Sequence, residues 1–118
     1  MKLLVVDDSA IIRKMIGKVL EGVGFSEVYE ADNGKKALEV FSEQQPDFVT
    51  MDITMPEMSG IECLGIMLAR KPDTKILMIS AQTGKSVALD ALNKGAAGFL
   101  QKPISKEELQ STVRELLG

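Results

Sequence analysis

Short apolar runs alternate along the whole chain with segments in which apolar residues recur every three or four positions. A short apolar run bounded by turn residues predicts a buried strand, and the three-to-four-residue recurrence predicts an amphipathic helix with one buried stripe. The pattern predicts strands and helices in strict alternation. The five predicted strands are Lys2–Val6, Glu27–Ala31, Phe48–Met51, Lys75–Ser80 and Gly98–Gln101.

Capping and stop signals bound the predicted helices. Ser59 and Ser105 each stand three residues before a glutamate, which is the spacing of a capping box, and Asn33 suits the N-cap of the second helix. Glycine or proline follows four of the predicted helix ends. The predicted helices are Ser9–Val23, Gly34–Gln44, Ser59–Lys71, Ser86–Lys94 and a last one from Ser105 to the chain end. In the fourth helix, the residues expected to pack are Val87, Ala88, Ala91 and Leu92.

This alternation predicts an α/β fold in which helices cover both faces of a parallel sheet, because each crossover must return right-handedly to the same sheet. The first, third and fourth strands are the most apolar, so we place them at the centre. In such doubly wound folds, ligands bind beyond the carboxyl ends of the strands, where the strand order reverses. The residues that follow the strands are therefore the candidates for a functional site.

Acidic residues stand at two of these strand ends. Asp7 and Asp8 follow the first strand, and Asp52 follows the third. If those strands are neighbours, the three carboxylates converge, and they repel one another unless a cation lies among them. A hard divalent ion such as Mg²⁺ suits this set of oxygen ligands. The alternative is an ordinary turn and helix N-cap at the aspartate pair, with Asp52 as a turn residue.

Two further polar residues end the later strands. Ser80 closes the fourth strand, and Lys102 follows the fifth. A hydroxyl, an ammonium group, a metal ion and a carboxylate nucleophile together form a site that can receive a phosphoryl group. Taken singly, Ser80 is an ordinary strand-ending hydroxyl and Lys102 a solvated charge, so the functional interpretation depends on their joint placement.

The composition excludes several kinds of chemistry. The chain has 118 residues, a net charge of −3 and no histidine, so it can form no Ser-His-Asp triad and bind no zinc through imidazole. Its length and hydrophobic content suit a single domain over residues 1–118, with no output domain. The lone Cys63 is expected to be a small buried hydrophobe, and it favours a reducing compartment.

The patterns of charge and hydropathy indicate a cytoplasmic protein. The N-terminal apolar run is too short for a signal peptide or a membrane span. The chain has no cluster of basic residues of the kind that binds nucleic acid phosphates. We therefore expect neither a membrane nor a nucleic acid partner.

Four motifs together resemble the receiver domain of two-component response regulators. They are Val5–Ser9, Met51–Gly60, Ser80–Ala81 and Lys102–Pro103, and the resemblance covers essentially the whole chain. Within that family the chain most resembles stand-alone chemotaxis regulators of the CheY type. The resemblance implies a flavodoxin-like (βα)5 sandwich with strand order 2-1-3-4-5.

The resemblance also implies a role for each strand-end residue. Asp52 matches the phosphoacceptor, and Asp7 and Asp8 match the acidic pair that holds Mg²⁺, for which Mn²⁺ is a possible substitute. The side chain of Asp52 and the backbone carbonyl of Thr54 complete the implied metal ligands.

The remaining motif positions carry implied roles in activation. Ser80 matches the hydroxyl that moves toward the aspartyl phosphate, and Lys102 matches the lysine that pairs with it. Thr54 and Gln82 match positions that flank the acyl phosphate and tune its hydrolysis. Phe99 matches a switch aromatic, the alternative being a strand aromatic that fills the core. The bond before Pro103 is implied to be cis.

By resemblance, the protein is a phosphoacceptor switch with self-catalysed phosphotransfer and slow autodephosphorylation, and not an enzyme. The phosphoryl donor would be a histidine kinase or phosphotransfer protein, since this chain has no histidine. The protein would be a monomer. It would transmit its signal by binding a partner through the face that contains Lys85–Lys94, Phe99 and Lys106–Arg114. The downstream partner would be a protein target, such as the flagellar motor switch, or a phosphatase.

Three alternatives remain open at this point. One is a receiver domain cut from a longer regulator with a transcriptional or enzymatic output. Another is a Mg²⁺-dependent phosphohydrolase, which would use Asp7 as the nucleophile and needs an acid/base where this chain has Ser9. The last is a receiver-like scaffold that is never phosphorylated.

Overall fold

The structure is a computed structural model that describes residues 1–81 and 85–118, with only the backbone described at residue 85. Strands and helices alternate along these residues, as the sequence pattern predicts. The strands are β1 Lys2–Val6, β2 Glu27–Ala31, β3 Phe48–Asp52, β4 Lys75–Ser80 and β5 Gly98–Gln101. The helices are α1 Ala10–Glu21, α2 Gly34–Gln44, α3 Gly60–Arg70, α4 Lys85–Asn93 and α5 Lys106–Leu117.

The strands form one parallel sheet in the order β2-β1-β3-β4-β5. This confirms the predicted doubly wound α/β fold, its strand order and the central position of β1, β3 and β4. Val6 of β1 pairs with Met51 of β3, and Asp52 pairs with Ile79 of β4. The strand order reverses between β1 and β3, so the carboxyl ends of these two strands lie side by side at the switch point.

Helices cover the sheet on both faces because side chains of the central strands alternate between two apolar clusters. In β1, Leu3 and Val5 enter a cluster shared with α1 and α5, whereas Leu4 and Val6 enter a cluster shared with α2, α3 and α4. Both faces of these strands are therefore buried, as their continuous apolar runs require. Cys63 lies in the second cluster, as expected, and burial raises the pKa of its thiol to about 11.

Serine and asparagine side chains begin four of the helices. The Oγ atoms of Ser9, Ser59 and Ser105, and the Oδ1 atom of Asn33, accept hydrogen bonds from backbone N–H groups in the first turns of α1, α3, α5 and α2. Such caps satisfy N–H groups that have no partner within the helix. Among the described residues, no helix has the length and apolarity needed to cross a membrane.

The structure corrects the predicted bounds at several places. Asp52 does not follow β3 but is its last residue, since its backbone pairs with Ile79. The first helix ends at Glu21 because Gly22 is its C-cap. The third begins after Ser59 and ends before Lys71, since these residues are its caps. The fourth begins and ends one residue earlier than predicted.

The prediction that Leu92 is one of the packed residues of the fourth helix is wrong. Leu92 is 43% exposed, whereas its neighbour Ala91 is fully buried. Adjacent helical residues lie about 100° apart around the helix axis, so burial of one does not carry the next inward. Leu89, on the same helix, is also exposed. The helix α4 therefore presents apolar side chains at the surface.

Candidate functional site

The candidate site lies at the carboxyl edge of the sheet, where β1, β3, β4 and β5 end. The carboxylates of Asp7, Asp8 and Asp52 have oxygen atoms within 4.8 Å of one another. Lys102, which directly follows β5, places its Nζ atom beside two of them. The predicted convergence of the strand-end residues is therefore confirmed for the acids and the lysine.

Asp7 is buried and held by hydrogen bonds on both its backbone and its side chain. Its N–H donates to the carbonyl of Ala31 at 3.1 Å, and its carbonyl accepts from Arg13 Nη1 at 2.7 Å. Its Oδ1 accepts from the Ser9 N–H at 2.9 Å, and its Oδ2 accepts from Lys102 Nζ at 2.8 Å. Both oxygens of the Asp7 carboxylate are thus engaged within the protein, whereas Asp8 is exposed to solvent.

The helix N-cap at α1 bears on the capping part of the alternative interpretation of the aspartate pair. The capping side chain is that of Ser9, whose Oγ accepts from the Ile12 N–H. Capping therefore does not account for either Asp7 or Asp8. Their carboxylates instead face the end of β3, as a metal site requires.

Asp52 is a buried carboxyl group surrounded by other charges. Burial raises its pKa above the ordinary value, Lys102 opposes this, and the carboxylates of Asp7 and Asp8 raise the pKa further. A hydrogen bond from the Thr54 N–H acts in the opposite direction. Burial and the two neighbouring carboxylates destabilise the ionised form of Asp52 by more than Lys102 and the Thr54 N–H stabilise it. A further positive charge beside Asp52 is therefore favourable.

Lys102 connects the end of β5 to the acidic residues. Its Nζ lies 2.8 Å from Asp7 Oδ2 and 3.6 Å from Asp52 Oδ2, so it makes a hydrogen bond with the first and a looser ion pair with the second. Its N–H donates to the carbonyl of Ser80 at 2.8 Å, which joins the ends of β4 and β5. The bond between Lys102 and Pro103 is cis, as the resemblance implies.

The other predicted site residues lie nearby but differ in surroundings. Ser80 is fully buried at the end of β4, whereas Thr54 is exposed two residues beyond Asp52. Phe99 is partly buried and packs against the cluster that contains Ala91 of α4. The prediction for Gln82 lies outside the described residues.

Gly60 is a site residue that the sequence analysis did not single out. A Cβ atom at Gly60 would lie 2.1 Å from the carbonyl oxygen of Asp52, and the Gly60 N–H donates to the carbonyl of Ile53 at 2.8 Å. The first residue of α3 thus packs directly on the backbone of the β3 end. The signal available in the sequence was a glycine placed directly after the Ser59 cap, where helix propensity disfavours it.

Arg13 is the second residue that the sequence analysis missed. It donates from Nη1 to the Asp7 carbonyl and from Nε to Glu30 Oε1 at 3.1 Å. Its signal was its position in α1, three and seven residues before the buried Ile16 and Leu20, which places it on the apolar stripe. A charged residue on such a stripe indicates a specific partner.

The donor set fits a hard divalent cation. Carboxylate and carbonyl oxygens are the ligands that Mg²⁺ prefers, and the ion retains waters where one side of the site is open. Here two carboxylates are buried and Asp8 is exposed, so the cluster is open on one side. An acidic cluster at the switch point of a 2-1-3-4-5 sheet, with a lysine after the last strand, is the arrangement that the resemblance to receiver domains implies.

Comparison with known proteins establishes the family. The response regulator receiver domain matches residues 3–114, and the chain therefore belongs to this family. It is similar to the chemotaxis protein CheY of Listeria monocytogenes, with 41% identity over 109 residues that cover 92% of each chain. It is also 40% identical over 116 residues to the chemotaxis protein CheY of Bacillus subtilis, which covers 98% of this chain and 97% of that protein.

Solved structures agree with this assignment. The structure of the CheX-CheY-BeF3-Mg complex from Borrelia burgdorferi contains a similar chain with a TM-score of 0.94 and 31% sequence identity. The match covers all of this chain and 90% of that one. The fold and its family are thereby shown over nearly the full length of the sequence.

Proposed function

We propose that this receiver domain accepts a phosphoryl group on Asp52 and uses it to switch its binding of a partner protein in chemotaxis signalling. The observation that supports this most directly is the convergence of three carboxylates within 4.8 Å, with the lysine ammonium beside two of them. The relatives named above as chemotaxis proteins match it over nearly their whole length, which favours that pathway.

The proposed transfer is an in-line displacement. An oxygen of Asp52 attacks the phosphorus of a phosphohistidine on a kinase or phosphotransfer protein, the P–N bond breaks, and the leaving imidazole nitrogen takes a proton from solvent. The proposed donor is a separate protein, because this chain has no histidine. The result is an aspartyl phosphate that hydrolyses slowly, so the protein is a phosphoacceptor and not a turnover enzyme.

The residues proposed to hold Mg²⁺ are Asp8, Asp52, Asp7 and the backbone carbonyl of Thr54. When bound, the ion neutralises charge on the transferred phosphoryl oxygens, and Mn²⁺ can take the same oxygen ligands. We propose that Asp7 contributes to the metal site less directly than Asp8, because its carboxylate oxygens already accept hydrogen bonds from the Ser9 N–H and from Lys102. Asp8 is the exposed member of the cluster, so it lies on the side that a hydrated ion can reach.

The switch is proposed to run from the site to the surface formed by α4, β5 and α5. Phosphorylated Asp52 attracts Lys102 and the Ser80 hydroxyl in one conformation of the site, which biases the packing of Phe99 on β5. Thr54 and Gln82 are proposed to set the lifetime of the phosphoryl group. Leu89 and Leu92 support a protein partner for this surface, since both are apolar and exposed.

The relatives indicate the class of partner protein that we propose for this chain. The Borrelia burgdorferi structure holds a CheY chain together with CheX, BeF3 and Mg²⁺, which supports a protein partner and a magnesium-dependent active form for this chain. A flagellar motor switch protein or a phosphatase is the proposed class of partner. We propose that this chain binds its partner as a monomer in the cytoplasm.

A direct test is to incubate the protein with Mg²⁺ and a small acyl phosphate and to measure its intact mass. The expected result is a mass gain of one phosphoryl group that alkali or strong acid removes, and that does not form when Mg²⁺ is chelated beforehand. Asp52→Asn should abolish the gain, and Asp73→Asn, a control at an exposed acid, should retain it. An unmodified wild-type protein would refute the proposal.

The same experiment distinguishes the phosphohydrolase alternative. That reaction would label Asp7 and release phosphate continuously. The geometry disfavours it, because both carboxylate oxygens of Asp7 already accept hydrogen bonds within the protein, and because Ser9, which stands where an acid/base is needed, caps α1.

A further inference from the structure

Arg13 joins three parts of the molecule beside the acidic cluster. From α1, its Nη1 donates to the backbone carbonyl of Asp7 at 2.7 Å and its Nε donates to Glu30 Oε1 on β2 at 3.1 Å. Lys14 holds the other Glu30 oxygen at 2.8 Å. The guanidinium is largely buried, with 16% of its side chain exposed, so these hydrogen bonds fix it firmly in place.

The contact with the Asp7 carbonyl affects Asp8 through the geometry of the peptide bond. The carbonyl of Asp7 and the N–H and Cα of Asp8 lie in one plane. Holding the carbonyl oxygen on Arg13 therefore restricts the orientation of that plane, and with it the position of the Asp8 Cα atom from which the side chain leaves the backbone. Burial and hydrogen bonds hold the Asp7 and Asp52 side chains, whereas the exposed Asp8 depends on its backbone for position.

We propose that Arg13 is a positioning residue that orients the Asp7–Asp8 peptide so that Asp8 can bind the metal ion. This inference rests on the proposed function, because it assigns Arg13 a part in the same site. Arg13 would act through the Asp7 carbonyl that it holds, and Glu30 keeps its guanidinium in place.

The sign of the effect separates positioning from simple electrostatics. A guanidinium next to a cation site repels the cation, so removal of its charge alone should strengthen binding of Mg²⁺. Loss of a group that orients a ligand should weaken binding instead, by about tenfold if Arg13 acts as groups behind metal ligands commonly do. The two explanations thus predict changes in opposite directions.

The experiment is calorimetric titration of the unphosphorylated protein with Mg²⁺ at constant ionic strength. For Arg13→Met we expect affinity about tenfold weaker than wild type. Arg13→Lys keeps the charge, but its single Nζ lacks the forked geometry that reaches the Asp7 carbonyl and Glu30 together, so we expect a smaller loss, about threefold. The backbone amide resonance of Asp8 should shift in both variants before any metal is added, which a role in global stability would not produce.

Two controls complete the design. Lys14→Met removes a positive charge that also contacts Glu30, but its side chain is 75% exposed and no hydrogen bond links it to Asp7; its affinity should equal or slightly exceed that of wild type. Glu30→Gln keeps an oxygen acceptor for Arg13, so it should bind Mg²⁺ more tightly than Arg13→Met.

Each outcome bears on one proposal. If wild-type protein binds no Mg²⁺, the proposed function is wrong. If wild type binds and Arg13→Lys is indistinguishable from it, or Arg13→Met binds more tightly, the role of Arg13 is wrong while the proposed function stands. If Arg13→Met does not fold, Arg13→Lys alone decides.

Discussion

At the scale of single residues, the site depends on a carboxyl group held away from water. Asp52 is 5% exposed and has two other carboxylates beside it. Burial and these like charges both favour the protonated form, and only Lys102 and the Thr54 N–H favour the charged form. Ionised Asp52 therefore destabilises the folded state, and a bound cation can offset that cost.

Asp52→Asn should raise the stability of the metal-free protein at pH 7. The folded-state pKa of Asp52 lies above its unfolded value, so the native state binds this proton more tightly. The stability that it contributes is present below the unfolded pKa and is lost as the pH rises through the folded pKa. Asparagine stays neutral and avoids that loss. Thermal unfolding in EDTA should show a higher midpoint for Asp52→Asn at pH 7, and this advantage should shrink near pH 3.

A lower midpoint for Asp52→Asn at pH 7 in EDTA would contradict the burial argument. Asp73→Asn is the matched control, because that carboxylate is 83% exposed. Its midpoint should differ little from that of wild type at either pH.

Gly60→Ala should both destabilise the protein and displace Asp52. The new Cβ would lie 2.1 Å from the Asp52 carbonyl oxygen, so the end of β3 or the start of α3 must move. We expect a loss of about 1–3 kcal/mol in the free energy of unfolding, together with slower phosphorylation. Gly65→Ala, in the same helix with no atom within 4 Å of the new Cβ, should instead gain about 0.5–1 kcal/mol. Urea unfolding of both variants checks this, and equal stabilities would contradict it.

At the scale of helices and strands, apolar patterning determined most of what could be predicted. The continuous apolar runs of β1, β3 and β4 placed them at the centre of the sheet, because only a strand buried on both faces can dispense with polar positions. The predicted convergence of the acids at the ends of β1 and β3 depended on the same placement, because it requires these two strands to be neighbours. Helix ends were less accurate, since Gly22 and Ser59 are caps and their conformation is decided locally.

Sequence patterns could mark Gly60 and Arg13 as unusual but could not identify their partners, for one physical reason. The partners of Arg13 are a backbone carbonyl before α1 and a side chain on β2, and the partner of Gly60 is the Asp52 carbonyl. Backbone groups carry no residue-specific signal, so contacts with them become visible only when the elements are assembled. The distances of Lys102 to Asp7 and Asp52 likewise required the assembled sheet.

Gln45 offers a test of how a helix end is built. It is the C-cap of α2, with φ at 50° in the left-handed region that glycine adopts most easily. Gln45→Gly should therefore stabilise the protein by about 0.5–1 kcal/mol, since glycine has no Cβ to strain there. Glu39→Gly, at an exposed position in the middle of the same helix, should destabilise by about 1 kcal/mol. Chemical unfolding of the pair checks the opposite signs, and a loss in both would contradict the assignment.

At the scale of the whole molecule, the site and the sheet stabilise each other. The acids of the site come from the ends of β1 and β3, so a cation that binds them ties these two neighbouring strands together. Binding to the folded state alone adds about 2.7 kcal/mol to the free energy of unfolding at a ligand concentration one hundred times the Kd.

Mg²⁺ should therefore raise the thermal unfolding midpoint of the wild-type protein, and EDTA should reverse the effect. Asp8→Asn should lose most of this gain, because it removes the exposed carboxylate of the cluster. Asp73→Asn should retain it. Scanning calorimetry at constant ionic strength measures all three, and an equal gain in Asp8→Asn would contradict the proposed ligand set.

The bond between Lys102 and Asp7 also has a consequence for the order of synthesis. These two residues are 95 positions apart, and ribosomes deliver the N-terminal segments of a chain first. Both aspartates of the pair emerge early, followed by Asp52, and the lysine that balances them emerges long afterwards. A partly made chain thus carries the acids without their internal cation and cannot present a complete acceptor site. On the proposed function, a kinase meets a competent substrate only after the last strand of the sheet has been translated.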